Sequence, residues 1–215
     1  MIKAIIYDVD NTLIASDPFI KNHVVKTAGK VLGQNTTSKE EVEKLQKNNV
    51  SFDELFTKLF RENASKVLEE YRKTSQENPI PETPHAIETV GRMKEKGMIQ
   101  GVLTNRTRFA RERLKQAGFP EFDFVLMPPS IELKKPNPKA FNPALEFLKQ
   151  KGITKENTLS VGDSLDDFTA SKNAGISFIA VLTGQHTESD FMKNGLEKEK
   201  IVPNLSRLEE AMNYA

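Results

Sequence analysis

The sequence contains no cysteine, which excludes disulfides and thiolate–metal centres and makes a reducing compartment unsurprising. It has no surplus of either charge, with 31 Lys and Arg against 30 Asp and Glu in 215 residues. Such a chain has no global field to draw in nucleic acid or anionic lipid, so any anion must be bound locally. No apolar run approaches the roughly 20 residues that span a bilayer. The first residues, MIKAIIYDVD, are too short and too acidic a stretch to read as a signal peptide. Internal repeats and low-complexity tracts are also missing. The expectation is a cytoplasmic protein with neither a nucleic acid nor a membrane as partner. Hydrophobic residues make up only 37%, still sufficient for a packed core. The length allows one large domain, or a core with a smaller insert.

Five short apolar runs read as strands: KAIIY (3–7), IQGVLT (99–104), DFVLM (123–127), TLSVG (158–162) and SFIAVL (177–182). They are nearly continuous rather than alternating, as strands covered on both faces should be. Between them lie stretches of helical period. His85 to Lys96 carries Ile87, Val90, Gly91 and Met93 on one side and stops at Gly97; Arg108 to Ala117 stops at Gly118. Asn142 and Pro143 read as an N-cap and first helical residue of a helix that stops at Gly152. This alternation predicts an α/β fold with a doubly wound parallel sheet.

From about Ser16 to Asn78 the alternation fails and no strand is evident. Ile20, Val24, Ala28 and Val31 form one helical stripe. Leu55, Phe56, Leu59, Phe60, Ala64, Val67, Leu68 and Tyr71 form a longer one. SKEEVEKLQK between them is a charged helix with Ser38 as a candidate cap. Pro79, Pro81 and Pro84 end the segment, since proline cannot continue a helix. The predicted organisation is an α/β core from residues 1–15 and 81–215 around an all-helical module at 16–80.

Ligands of open α/β sheets bind at the carboxyl ends of strands, so the residues there carry the chemistry. The first run ends in Asp8 and Asp10, the second in Thr104 followed by Asn105 and Arg106. The fourth ends in Gly162, Asp163 and Ser164, with Asp166 and Asp167 beyond, and MPPSIELKKPNP after the third presents Lys134 and Lys135. Singly, each has a structural reading: a turn aspartate, a capping threonine, a solvated lysine. Their coincidence at one sheet edge tells against that. Buried carboxylates cost several kcal/mol unless paired, and three converging acids would repel one another without a hard cation. Such oxygen ligands suit magnesium. A threonine and a lysine beside that cation make a pocket for a dianionic phosphate.

These segments resemble the haloacid dehalogenase-like hydrolases. DVDNTL resembles the family's first motif, Asp-x-Asp-x-Thr after a strand; LTNR the second; KKP the third; VGDSLDD, followed by FTASKNAG, the fourth. They occur in the family's order across most of residues 2–183, and the helical insert matches the cap domain between the first two motifs. The resemblance implies a Rossmann-like core and a magnesium-dependent phosphatase of small phosphorylated metabolites, a monomer or homodimer. It implies that Asp8 is the nucleophile and Asp10 the general acid and base. Asp8, Asp163 and the main-chain carbonyl of Asp10 would hold magnesium. Thr104 and the amide of Asn105 would bind phosphate, with Lys135, which directly precedes Pro136, stabilising nucleophile and phosphate. Asp167 would reach the metal through water or orient Asp163 and Lys135. Asn11 stands where many members have glycine, and asparagine tolerates the same turn.

Rival readings are weaker. A dehalogenase needs no proton donor at the position of Asp10. A phosphomutase shares all these motifs and differs in its phosphoryl acceptor. Signalling receiver domains place their phosphorylated aspartate mid-chain, and a vestigial binding protein would not need the whole constellation. Nothing in the core reads a leaving group. The insert is expected to act as a lid hinged at Ala15–Pro18 and Asn78–Pro84, with Asn48, Asn49 and Ser51 as candidate substrate contacts.

Overall fold

The computed structural model describes residues 1–34, 36–47 and 52–215. Asn48, Asn49 and Ser51 lie outside the described residues. The chain divides into two compact units, Met1–Ala15 with Glu82–Ala215, and Ser16–Pro81.

The first unit is built on six parallel strands: β1 (Ala4–Tyr7), β2 (Ile99–Leu103), β3 (Phe124–Leu126), β4 (Thr158–Gly162), β5 (Ser177–Val181) and β6 (Ile201–Val202). Their order is β3-β2-β1-β4-β5-β6, which places β1 centrally, with Ala4 opposite both Ile99 and Thr158. This is the doubly wound sheet expected. Five strands fall within a residue of the expected runs at either end. The sixth was not foreseen, because two residues have no period to read.

Alternate side chains of a strand point to opposite faces. Ala4 and Ile6 accordingly join a core with Leu103, Phe124, Phe141, Leu148 and Ala170. On the other face the Tyr7 hydroxyl donates to Gln100 Oε1 at 3.1 Å, and Gln100 Nε2 donates to the Val90 carbonyl at 3.0 Å. A satellite core of Phe168, Phe178, Phe191, Leu196 and Ile201 lies under the β5–β6 edge.

The helices in chain order are α1 (Ser16–Leu32), α2 (Lys39–Lys47), α3 (Phe52–Phe60), α4 (Ala64–Ser75), α5 (Ala86–Glu95), α6 (Ala110–Ala117), α7 (Asn142–Gln150), α8 (Leu165–Ala174), α9 (Glu188–Lys193) and α10 (Leu208–Ala211). Two start later than their sequence suggests. His85 and Phe109 take φ of 65° and 59°, so α5 begins at Ala86 and α6 at Ala110. The expected cap at Asn142 is corrected. A 3-10 turn over Pro138–Phe141 runs straight into α7, so Asn142 is already helical, and Asn137 does the capping by accepting from Lys139 N.

The second unit contains only helices among its described residues. Val24 and Ala28 of α1 pack with Val42, Leu55, Phe56, Phe60, Val67 and Tyr71. The stripe running from Leu55 to Tyr71 is not one helix. Arg61 adopts φ 49°, and a 3-10 turn at Arg61–Asn63 separates α3 from α4. Rings organise this core: Phe56 and Tyr71 meet at 5.3 Å, and His23 stacks on Phe19. Ser38 caps α2, with Glu41 N donating to its hydroxyl at 3.2 Å and Ser38 N donating to the Glu41 carboxylate at 2.8 Å.

Candidate active site

The site forms where β1, β2 and β4 end. Asp8 continues β1 by one residue, donating its N–H to the Val161 carbonyl at 2.9 Å. The chain then turns on Asn11, whose φ of 59° is one asparagine tolerates. Leu13 and Ile14 both donate back to the Val9 carbonyl. This tight loop lets Thr12, fully buried, donate from Oγ1 to Asp163 Oδ1 at 3.1 Å. Thr183 braces the turn from β5's end through a 2.5 Å bond to the Asn11 carbonyl.

Asp163 follows β4, and Ser164 caps α8. Ser164 Oγ accepts from Asp167 N, while Asp167 Oδ2 accepts from Ser164 N at 3.1 Å and from its hydroxyl at 2.5 Å. This reciprocal cap fixes Asp167 one helical turn above Asp163. Asp8, Asp163 and Asp167 each offer a carboxylate oxygen within 4.8 Å of the others.

Lys135 enters this cluster from the loop after β3. Its ammonium lies 2.7 Å from Asp8 Oδ1 and 2.5 Å from Asp167 Oδ1, and donates to the Leu103 carbonyl at 2.8 Å. The Asn105 side chain holds the loop: it accepts from Lys135 N and donates to the Lys135 carbonyl, both at 2.8 Å. Lys135 is buried, whereas Lys134 is half-exposed. Thr104 is 1% exposed. Its Oγ1 accepts from Arg106 N at 3.1 Å.

Three buried carboxylates gather around one ammonium, which contacts Asp8 and Asp167, so the cluster has more acidic groups than cations. Burial pushes the Asp8 carboxyl up to about 7; Lys135 opposes this, while Asp167 and Asp10 add to it. Burial, Asp167 and Asp8 likewise raise Asp163 well above the usual carboxylate range, against the Thr12 hydrogen bond. Burial disfavours the charged form of Lys135, but Asp167 and Asp8 outweigh it and hold the ammonium charged. The donor set is all oxygen, negatively charged and partly uncompensated, which fits a hard divalent cation.

Space is kept for these groups by two glycines. A Cβ on Gly162 would lie 2.6 Å from Asp167 atoms, and one on Gly184 would lie 1.8 Å from Asp163 Oδ2. Asp10 is oriented differently from the other acids. Its carboxylate pairs with the Arg106 guanidinium, Nε to Oδ2 at 3.2 Å and Nη2 to Oδ1.

Asp8, Asp163, Asp167, Thr104, Asn105 and Lys135 thus converge, with Asp10 beside them on Arg106. Sequence reading gave no role to Arg106, Thr12, Thr183 or Gly184. Thr12 and Arg106 sit inside the stretches that resemble the first and second motifs, so both carried a signal; Gly184 carried none, because its closeness to Asp163 is a tertiary fact. A cleft of about 640 Å³ at the opposite end of the strands, lined by Met1, Lys3, Met93, Met98 and Met212 among others, holds none of these groups.

Residues 5–181 match the haloacid dehalogenase-like hydrolase family. The pyrophosphatase PpaX of Bacillus mycoides is 29% identical over 185 residues, covering 84% of this chain and 83% of its own. PpaX of Halalkalibacterium halodurans is 27% identical with the same coverage. Among solved structures, CbbY of Rhodobacter sphaeroides, in complex with phosphate, superimposes with a TM-score of 0.68 at 23% identity, covering 97% of this chain and 96% of that one. A subfamily IA hydrolase of Geobacter sulfurreducens gives 0.71 at 20% identity, covering 97% and 95%. The motifs at the strand ends therefore stand in the fold they require, and the chain belongs to the haloacid dehalogenase-like hydrolases.

Proposed function

We propose that this protein is a magnesium-dependent phosphatase that hydrolyses a small phosphate monoester through a phosphorylated Asp8. The observation that carries this reading is the Lys135 ammonium set between Asp8 and Asp167, at 2.7 and 2.5 Å, beside Asp163. A phosphate monoester is a dianion and repels a carboxylate, so a carboxylate nucleophile needs positive charge around it. Magnesium would be held by Asp8, Asp163 and the main-chain carbonyl of Asp10, with Asp167 near enough to join through water. When bound it supplies charge that offsets both the crowded carboxylates and the phosphoryl oxygens.

The chain's own residues then do the following. The Thr104 hydroxyl and the Asn105 amide bind phosphoryl oxygens, and Lys135 stabilises them against Asp8. An Asp8 oxygen forms a bond to phosphorus as the bond from phosphorus to the leaving oxygen breaks. Asp10 delivers its proton to that oxygen, a contribution of typically 10²–10⁴-fold. Asp10, now a carboxylate, takes a proton from water as the water oxygen attacks phosphorus. The bond to Asp8 breaks, releasing phosphate and restoring both aspartates. The transition state is loose, so positioning and charge compensation supply most of the rate.

The helical unit is read as a cap that selects the substrate. The support is local to the first unit. Ile14, just before the insert, bridges to Glu82, just after it, and the Thr83 hydroxyl donates to the Thr12 carbonyl at 2.6 Å. Both junctions are thereby tied to the loop that carries Asp10. The same reading has the enzyme act in the cytoplasm, as a monomer or homodimer, on a diffusible metabolite.

Phosphate release from a panel of phosphoglycolate, sugar phosphates, nucleotides and pyrophosphate, with magnesium or with chelator, tests this. Pyrophosphate belongs on the panel because the PpaX relatives are named for it. Magnesium-dependent release that vanishes in Asp8→Asn is the expected result. Transfer to a second hydroxyl without free phosphate would identify a mutase using the same residues.

A further inference from the structure

Two cations serve this site, at different depths. Lys135 is the inner one, with 4% of its side chain exposed and its partner Asp8 at 10%. Arg106 is the outer one, at 21%, and its partner Asp10 is at 35%. Arg106 sits on the loop that leaves β2, two residues after Thr104, and its backbone N–H is anchored on the Thr104 hydroxyl at 3.1 Å. Its fork takes both oxygens of Asp10, through Nε to Oδ2 and Nη2 to Oδ1.

That arrangement competes with the work of Asp10. Its acid role requires an oxygen at the bridge between phosphorus and leaving group, and the bidentate guanidinium engages both. The guanidinium cannot lose its charge by giving up a proton. An anion that draws it away from Asp10 arrives with the substrate. The phosphoryl group is engaged by Lys135 and Thr104 on the Asp8 side. What lies on the Asp10 side is the leaving group.

We propose that Arg106 is a specificity residue that reads charge on the leaving group: a second anionic group there, phosphate or carboxylate, takes the guanidinium over from Asp10 and frees Asp10 for the bridging oxygen. This rests on the assignment of Asp8 as nucleophile and Asp10 as acid. It narrows the substrate class to phosphate esters and anhydrides whose leaving group is itself an anion. An uncharged leaving group brings no anion to compete for Arg106, so Asp10 stays paired and turnover is slow.

The test compares the wild type with Arg106→Gln and Arg106→Lys in magnesium. Calorimetry measures binding of methylphosphonate, which has no second anion, of phosphonoacetate, which adds a carboxylate, and of methylenediphosphonate, which adds a phosphonate. The wild type is expected to prefer one or both doubly anionic probes by about tenfold or more, the scale of a charge-assisted hydrogen bond. Which probe wins distinguishes carboxylate from phosphate. Arg106→Gln should lose that preference and Arg106→Lys keep part of it. In turnover, the ratio of kcat/KM for pyrophosphate or phosphoglycolate to that for phenyl phosphate should fall by a similar factor in Arg106→Gln. A wild type without preference, or an Arg106→Gln variant that keeps it, overturns the inference. So does an equal loss on charged and uncharged leaving groups, which would make Arg106 only a holder of Asp10. If no ester is turned over by the wild type, the phosphatase reading fails, while the binding preference still decides the role of Arg106.

Discussion

Asp8 carries a cost that its function explains. Its carboxyl is raised to about 7, mostly by burial. A carboxyl raised in the folded state contributes stability that is complete below the ordinary value near 3.8 and is lost as pH climbs through about 7. The metal-free protein should therefore weaken across that window, and Asp8→Asn should relieve it. Without divalent cation, the variant is expected to melt above the wild type at pH 8, by roughly 2 kcal/mol or about 4–8 °C, and by much less at pH 4. Thermal melts in chelator at the two pH values check this; a constant gap would show that ionisation of Asp8 is not the cause. Magnesium should reverse the order at pH 8, because Asn is a poorer ligand than carboxylate. Lys135→Ala leaves Asp8 and Asp167 without their shared cation, so it should cost about 3–5 kcal/mol and lower kcat by orders of magnitude. Lys134→Ala, half-exposed and outside the cluster, should do little to either. The sequence distinguished these neighbours through the proline that follows Lys135. It carried no such cue for the Asp10–Arg106 pair, which joins two loops 96 positions apart.

Helix α8 shows how one element serves fold and site with the same atoms. The bonds that cap it between Ser164 and Asp167 also aim Asp167 at Lys135. Helix α2 of the helical unit has a comparable Ser38–Glu41 cap. Ser38→Ala and Ser164→Ala should each cost about 1 kcal/mol of stability, but only Ser164→Ala should also weaken magnesium binding and kcat. Paired melts and a magnesium titration check this, and equal activity in the two variants would sever the cap from the site. The strands with continuous apolar runs were legible in the sequence because burial on both faces leaves a dense signal. The helix starts were less so. His85, Phe109 and Arg61 adopt positive φ without being glycine, a conformation that tertiary contacts impose and composition does not announce. The same holds for Asn142, where a preceding 3-10 turn moved the cap back to Asn137.

The molecule keeps separate cores for its two units, one around Phe124, Phe141 and Leu148 under the sheet, another around Phe56 and Tyr71 among the helices. Each unit can bury its own apolar surface, so replacing residues 16–81 by a short linker from Ala15 to Glu82 should leave a folded core. That core should retain some activity on an aryl phosphate, while its kcat/KM ranking over the metabolite panel should collapse. An unchanged ranking would put all specificity in the core. Prolines and a loss of alternation mark the boundaries of the insert in the sequence. What its turns contact is not marked there, since a polar loop residue looks the same whether or not it meets a ligand. The phosphatase reading turns on Asp8 becoming phosphorylated, and intact-mass measurement of Asp10→Asn after mixing with substrate and magnesium reads that directly. Without its base the variant should accumulate one phosphoryl group, mapped by peptide analysis to Asp8 and missing when Asp8 is also changed to Asn. Substrate turnover by the wild type with no adduct in the variant, or an adduct that survives the second substitution, would contradict it.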